Sequence, residues 1–128
     1  MRPLPAQDRT PPAALHWTGS RELRLDGDAG MLSAEAPPPR ALTVRSPRPG
    51  ERFRVQPDAP ARTLKNLFQE QGVPPWLRMR LPVLEIDGAA HCIAGVAATS
   101  EWRALQSQTG WKAVWIHPFA GLESPLPL

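Results

Sequence analysis

Apolar and polar residues alternate through Leu15 to Leu25 (LHWTGSRELRL) about Thr18-Gly19-Ser20, the pattern of a hairpin with one solvated side. Met31 to Ala36 continues as a further strand, and Ala41 to Arg45 (ALTVR) resumes the alternation. Between them Pro37-Pro38-Pro39 continues neither helix nor sheet and reads as a stiff extended connector. Ser46-Pro47-Arg48-Pro49-Gly50 reads as a tight loop, followed by a short strand over Glu51 to Val55. Beyond it the period changes. Leu64, Leu67, Phe68 and Gln71 recur at helical spacing, with Arg62, Lys65, Asn66 and Gln69 on the other side. A helix is expected there, with Asp58 as its cap, Pro60 in its first turn and Gly72 at its end.

Pro74-Pro75-Trp76-Leu77-Arg78 predicts a turn or a single helical turn, with Trp76 as a packing anchor between prolines and leucine. Pro82 to Ile86 and Ala90 to Val96 flank Asp87-Gly88, which supplies the two positive-φ residues of a type I′ hairpin turn. Thr99-Ser100-Glu101 opens a brief helix, and Trp111 to His117 makes a final strand with Val114 and Ile116 opposite Lys112 and Trp115. The order of elements predicts an α+β domain with one main amphipathic helix and short helices on one side of a mixed or antiparallel sheet.

Composition changes this picture mainly at the ends. A chain of 128 residues holds one domain with an appendage, and ten of its 17 prolines fall in the first dozen positions, the triple at 37–39 and positions 118, 125 and 127. Residues 1–12 and 119–128 are accordingly expected to be disordered tails, 13–39 a β-hairpin segment with a proline-rich linker, and 40–118 the main domain. A single cysteine, Cys92, excludes an intrachain disulfide and fits a reducing, cytoplasmic setting. No apolar run approaches the roughly 20 residues of a membrane span, and no apolar core follows Arg2 as a signal peptide requires.

Charge is distributed unevenly. The net charge is +3, but Arg45, Arg48, Arg52, Arg54, Arg62, Lys65, Arg78 and Arg80 face only Glu51, Asp58 and Glu70 within the same stretch, and the remainder is slightly acidic. Such asymmetry predicts a basic face that attracts phosphates.

Catalytic constellations are missing from the sequence. It contains no glycine-rich phosphate loop, no paired CxxC, no HExxH and no GxSxG. His16, His91 and His117 fall on different expected strands, without a second ligand at metal spacing. Cys92, in the apolar run AAHCIAGVA, reads as a buried inert thiol, and Glu85 with Asp87 reads as hairpin and turn chemistry.

The run from Arg62 to Arg78 (RTLKNLFQEQGVPPWLR), followed by Leu81-Pro82-Val83-Leu84, resembles the C-terminal domain of bacterial tRNA(Ile)-lysidine synthetases. It couples an amphipathic helix, a Pro-Pro-Trp turn and a strand. Supporting similarity runs through Leu42-Thr43-Val44-Arg45 and Arg48-Pro49-Gly50-Glu51-Arg52-Phe53, and on through the Asp-Gly hairpin to Ile93-Ala94-Gly95-Val96. The resemblance implies layered sheets and helices, a fold also found in part of the phenylalanyl-tRNA synthetase β subunit. It further implies a domain that contacts the acceptor stem of an isoleucine tRNA, in an enzyme that attaches lysine to an anticodon cytidine with ATP.

The family's ATP-binding motif, Ser-Gly-Gly-x-Asp-Ser, has no match in this chain. ATP and lysine are therefore expected to belong to a catalytic domain elsewhere in the parent enzyme, with no cofactor and no catalysis here. The expected RNA contacts are Arg62 and Lys65 one turn apart, Arg78 and Arg80 after the Pro-Pro-Trp turn, Arg48 and Arg52 about Gly50, and Arg45. Where the family often has two adjacent lysines, this chain has Lys65-Asn66. The alternative is a docking module that packs on the catalytic domain with little RNA affinity of its own, using apolar surface at Trp17, Trp102 and Trp111.

Overall fold

The computed structural model describes residues 14–25, 29–119 and 122–128. The expected N-terminal tail, residues 1–12, lies outside the described residues. Among those described, the strands form three sheets in which every pairing is antiparallel. Five strands, β1 (Leu15–Trp17), β4 (Leu42–Arg45), β7 (Val83–Ile86), β8 (Ala89–Ile93) and β9 (Ala97–Ala98), make the larger sheet in that order. A second sheet runs β11 (Leu126–Pro127), β10 (Ala113–Ile116), β3 (Met31–Ala34), β2 (Glu22–Arg24), and a two-stranded ribbon joins β5 (Arg52–Phe53) to β6 (Arg62–Thr63). With helices α1 (Leu64–Glu70), α2 (Pro75–Arg78) and α3 (Ser100–Thr109), this is the expected α+β class.

The hairpin expected over Leu15 to Leu25 does not form: β1 pairs with β4 and β2 with β3, in different sheets. Trp17 explains the separation. Its ring is buried beside Leu42 on the larger sheet, and its indole N–H donates to the Ser20 carbonyl at 2.8 Å, closing a bend that sends the chain to the other layer. The break expected at Pro39 divides nothing, because β3 is the partner of β10 and lies inside the second sheet. Likewise, the segment expected to be a C-terminal tail adds β11 to that sheet, with Leu126 and Leu128 buried and the Leu128 carbonyl accepting from the Gln106 side chain at 2.7 Å. Local alternation records which side chains face inward; it does not record the partner strand.

Asp87 and Gly88 take φ of 52° and 83°, as the type I′ turn requires. In β10 the buried positions are Ala113 and Trp115 while Ile116 is exposed, so Trp115 holds the core side of the strand. One apolar core runs through both large sheets, and three tryptophans bind them: Trp111 meets Trp17 at 5.4 Å and Trp102 at 5.9 Å, both edge-on.

α1 starts later than expected. Arg62 and Thr63 are spent on β6, so Thr63 rather than Asp58 caps the helix, its hydroxyl accepting from the Asn66 N–H at 3.2 Å. Leu64, Leu67 and Phe68 are buried as the stripe predicts, while Gln71 is exposed.

Candidate nucleic-acid interface

The fold divides the cations that the sequence groups together. Arg45 is enclosed, with 7% of its side chain exposed. Its Nε donates to Glu85 at 2.5 Å, its Nη1 and Nη2 grip Glu51 at 3.0 and 2.6 Å, and Nη1 also reaches the Ser46 carbonyl. A guanidinium so occupied offers nothing to a phosphate; the expectation of an RNA contact at Arg45 is corrected to a structural clamp between β7 and the loop before β5. Burial works against the charge on Arg45, but its two carboxylates outweigh that and raise its pKa. Burial likewise pushes Glu51 up, and hydrogen bonds from Arg45 and the Arg48 backbone carry it below the ordinary carboxylate range.

Arg62 is also diverted. It lies on β6 rather than on α1, and both Nη groups bind the Glu70 carboxylate in an exposed pair. The pairing of Arg62 and Lys65 across one helical turn is therefore corrected: Glu70, two turns along from β6, neutralises the first cation.

Arg48, Lys65 and Arg78 converge. The Glu51 N–H donates to the Arg48 carbonyl at 3.1 Å across Pro49-Gly50, and Gly50 takes φ of 74°, the positive value that closes a type II turn. The Leu64 N–H donates to the Glu51 carbonyl at 2.9 Å and fixes the start of α1 against this turn. From the other side, the Arg78 Nε donates to the Val73 carbonyl at 2.9 Å, orienting a guanidinium whose Nη groups have no protein partner among the described residues. The result is a groove of about 290 Å³ lined by Arg48, Lys65 and Arg78 together with Gly50, Thr63, Met79 and Glu51, whose carboxylate is held by Arg45. No carboxylate pairs with these three cations among the described residues. Arg52 is exposed on β5 across from Thr63, beside the groove and not in its lining.

Arg80 stands apart from the groove, its guanidinium 5.8 Å from the centre of the Phe119 ring. Trp76, expected as a packing anchor, is 57% exposed and touches Phe119 edge-on at 6.3 Å. A helix of four residues has no periodic stripe from which to read its inner side; Leu77, not Trp76, is the buried member. The surface expected at Trp17, Trp102 and Trp111 is absent, for these rings are 1%, 0% and 6% exposed.

Of the remaining reactive groups, Cys92, His91 and His117 are buried and His16 is exposed. Burial pushes the Cys92 thiol up to about 12, leaving it protonated and inert. His91 pairs with the Thr99 hydroxyl at 2.8 Å, and no cluster of three or more His, Cys, Asp or Glu capable of holding a metal occurs among the described residues. Among the described residues, no helix is long and apolar enough to cross a membrane.

These features define a class: a small antiparallel α+β domain that carries a basic groove. The family described as TilS substrate C-terminal domain matches residues 42–115, and the chain belongs to it. Its relatives include the tRNA(Ile)-lysidine synthases of Azoarcus sp. (strain BH72), 35% identical over 81% of this chain, and of Aromatoleum aromaticum, 35% identical over 87%. That of Nitrosomonas europaea is 30% identical over 90%. The aligned regions make up 23%, 28% and 27% of those relatives, so the chain corresponds to about a quarter of each.

Proposed function

We propose that this chain is the tRNA-binding C-terminal domain of a tRNA(Ile)-lysidine synthase, holding the acceptor stem of an isoleucine tRNA in the Arg48–Lys65–Arg78 groove. Adenylation with ATP and transfer of lysine to the anticodon cytidine fall to the catalytic domain of the same cytoplasmic protein, and this chain supplies position rather than chemistry. The observation that carries the reading is the convergence on one groove of three cations that have no salt-bridge partner among the described residues. An A-form stem hides its base edges in a deep, narrow major groove, so a protein holds it by phosphates, 2′-hydroxyls and shape. Arg48 and Arg78 bring planar forks that match phosphate oxygens, and Lys65 adds a point charge.

If three phosphates are engaged, affinity for an isoleucine tRNA transcript should fall roughly fortyfold between about 50 and 200 mM salt. The double change Arg48→Ala/Lys65→Ala should lower the slope of log affinity against log salt by about two. Fluorescence anisotropy titrations read both quantities. A salt-insensitive isotherm, or an unchanged slope in the double variant, would refute the assignment.

A further inference from the structure

We propose that the Trp76 ring is a stacking platform for an unpaired nucleobase at the end of the RNA duplex held in the groove, an inference that rests on the tRNA-binding reading above. Three observations lead there. Of the five tryptophans, four are 6% exposed or less, whereas Trp76 is 57% exposed. A lone exposed apolar residue needs no explanation, but Trp76 stands two residues before Arg78 and three before Met79, both of which line the groove, and Met79 is itself 50% exposed.

The ring is also held in place. Pro75 opens α2 just before it, and Phe119 supports its edge at an interplanar angle of 62°. Phe119 is braced in turn by Trp115 at 5.8 Å and stacks on His117 at 5.6 Å. The His117 Nδ1 accepts the Phe119 N–H at 3.1 Å, while its Nε2 donates to the Glu123 carbonyl at 2.6 Å. A platform supported this way loses little freedom when a flat ligand settles on it.

Charge selects the occupant. Arg80 sits over Phe119, the ring that Trp76 touches, and Arg78, two residues along from Trp76, lines the groove; neither is paired with a carboxylate among the described residues. An apolar protein surface placed there would leave two guanidiniums desolvated beside it. A single-stranded nucleotide satisfies all three groups, with its base on the indole and its phosphates toward the arginines.

The test compares a blunt-ended RNA hairpin with the same hairpin carrying a short unpaired 3′ overhang, each titrated with the chain by anisotropy. The overhang should tighten binding roughly tenfold, the contribution of one base on an aromatic ring. Trp76→Ala should erase that gain and leave the blunt hairpin's affinity and salt slope unchanged, and Trp76→Phe should keep most of it. Because the other indoles are buried, iodide quenching of the parent chain reports mainly on Trp76, and the overhang should shield it. Equal binding of the two probes, a gain that survives Trp76→Ala, or unshielded emission overturns the platform while leaving the groove in place. Failure of both probes to bind removes the tRNA-binding reading and this one with it. Loss of self-association in Trp76→Ala, with RNA binding intact, assigns the ring to a protein contact and likewise overturns the proposal.

Discussion

Replacing Arg45 by methionine would keep much of its volume and strand Glu51 and Glu85, whose side chains are only 11% and 10% exposed, without their cation. Loss of one partner from an enclosed ion cluster destabilises a fold by about 3 kcal/mol, chiefly because the remaining charges stay buried. Urea unfolding of Arg45→Met at neutral pH should show that loss; a variant as stable as the parent would deny the clamp any role. The dependence on pH follows from the sign of the shift. Glu51 is held below its ordinary value of 4.5, so its contribution is complete above that value and disappears as pH falls through the lower, folded-state one. The difference between Arg45→Met and parent should therefore shrink in acid. Sequence spacing located Arg45 next to a glycine-containing loop, and from there it looked like its neighbour Arg48. What separates them is long-range: Glu85 is distant in sequence and meets Arg45 only because β4 pairs with β7.

Close approach governs the elements. Gly30 precedes β3 at φ of 89°, and a Cβ there would fall 1.9 Å from the Ile116 carbonyl oxygen on β10. Gly88, at φ of 83°, has nothing within 4 Å of the same position. Gly88→Ala should cost about 1 kcal/mol, the penalty of the left-handed backbone alone. Gly30→Ala adds a backbone collision that forces β3 and β10 apart, and about 3 kcal/mol or more is expected. Chemical denaturation of the two variants side by side measures the difference, and equal losses would mean that the strands can separate freely. Elements set by local signals were legible in the sequence: the Asp87-Gly88 hairpin, the Leu64–Leu67–Phe68 stripe and the Thr99 helix start all lie where the residues indicated. Elements set by a distant partner were not. The turn at Thr18 to Ser20 looks like a hairpin tip, yet its flanking strands belong to different sheets.

Across the whole molecule, the segment before Pro39 and the final residues are both threaded into sheets, so neither behaves as an appendage to a central domain. Proline count suggested otherwise, because proline disfavours regular structure locally while edge strands and bends accommodate it. Pro127, for example, stands in β11 at the edge of its sheet. Of the basic residues that the sequence grouped together, the fold keeps Arg48, Lys65 and Arg78 as a set, encloses Arg45, ties Arg62 to Glu70 and turns Arg80 toward an aromatic neighbour.

The enclosed Arg45 has one kinetic corollary. By wedging the turn at Pro49-Gly50 against β7, it holds one wall of the groove to which we propose that tRNA binds. Stopped-flow association should then proceed in a single concentration-dependent phase, quickened at low ionic strength and free of a slow first-order rearrangement.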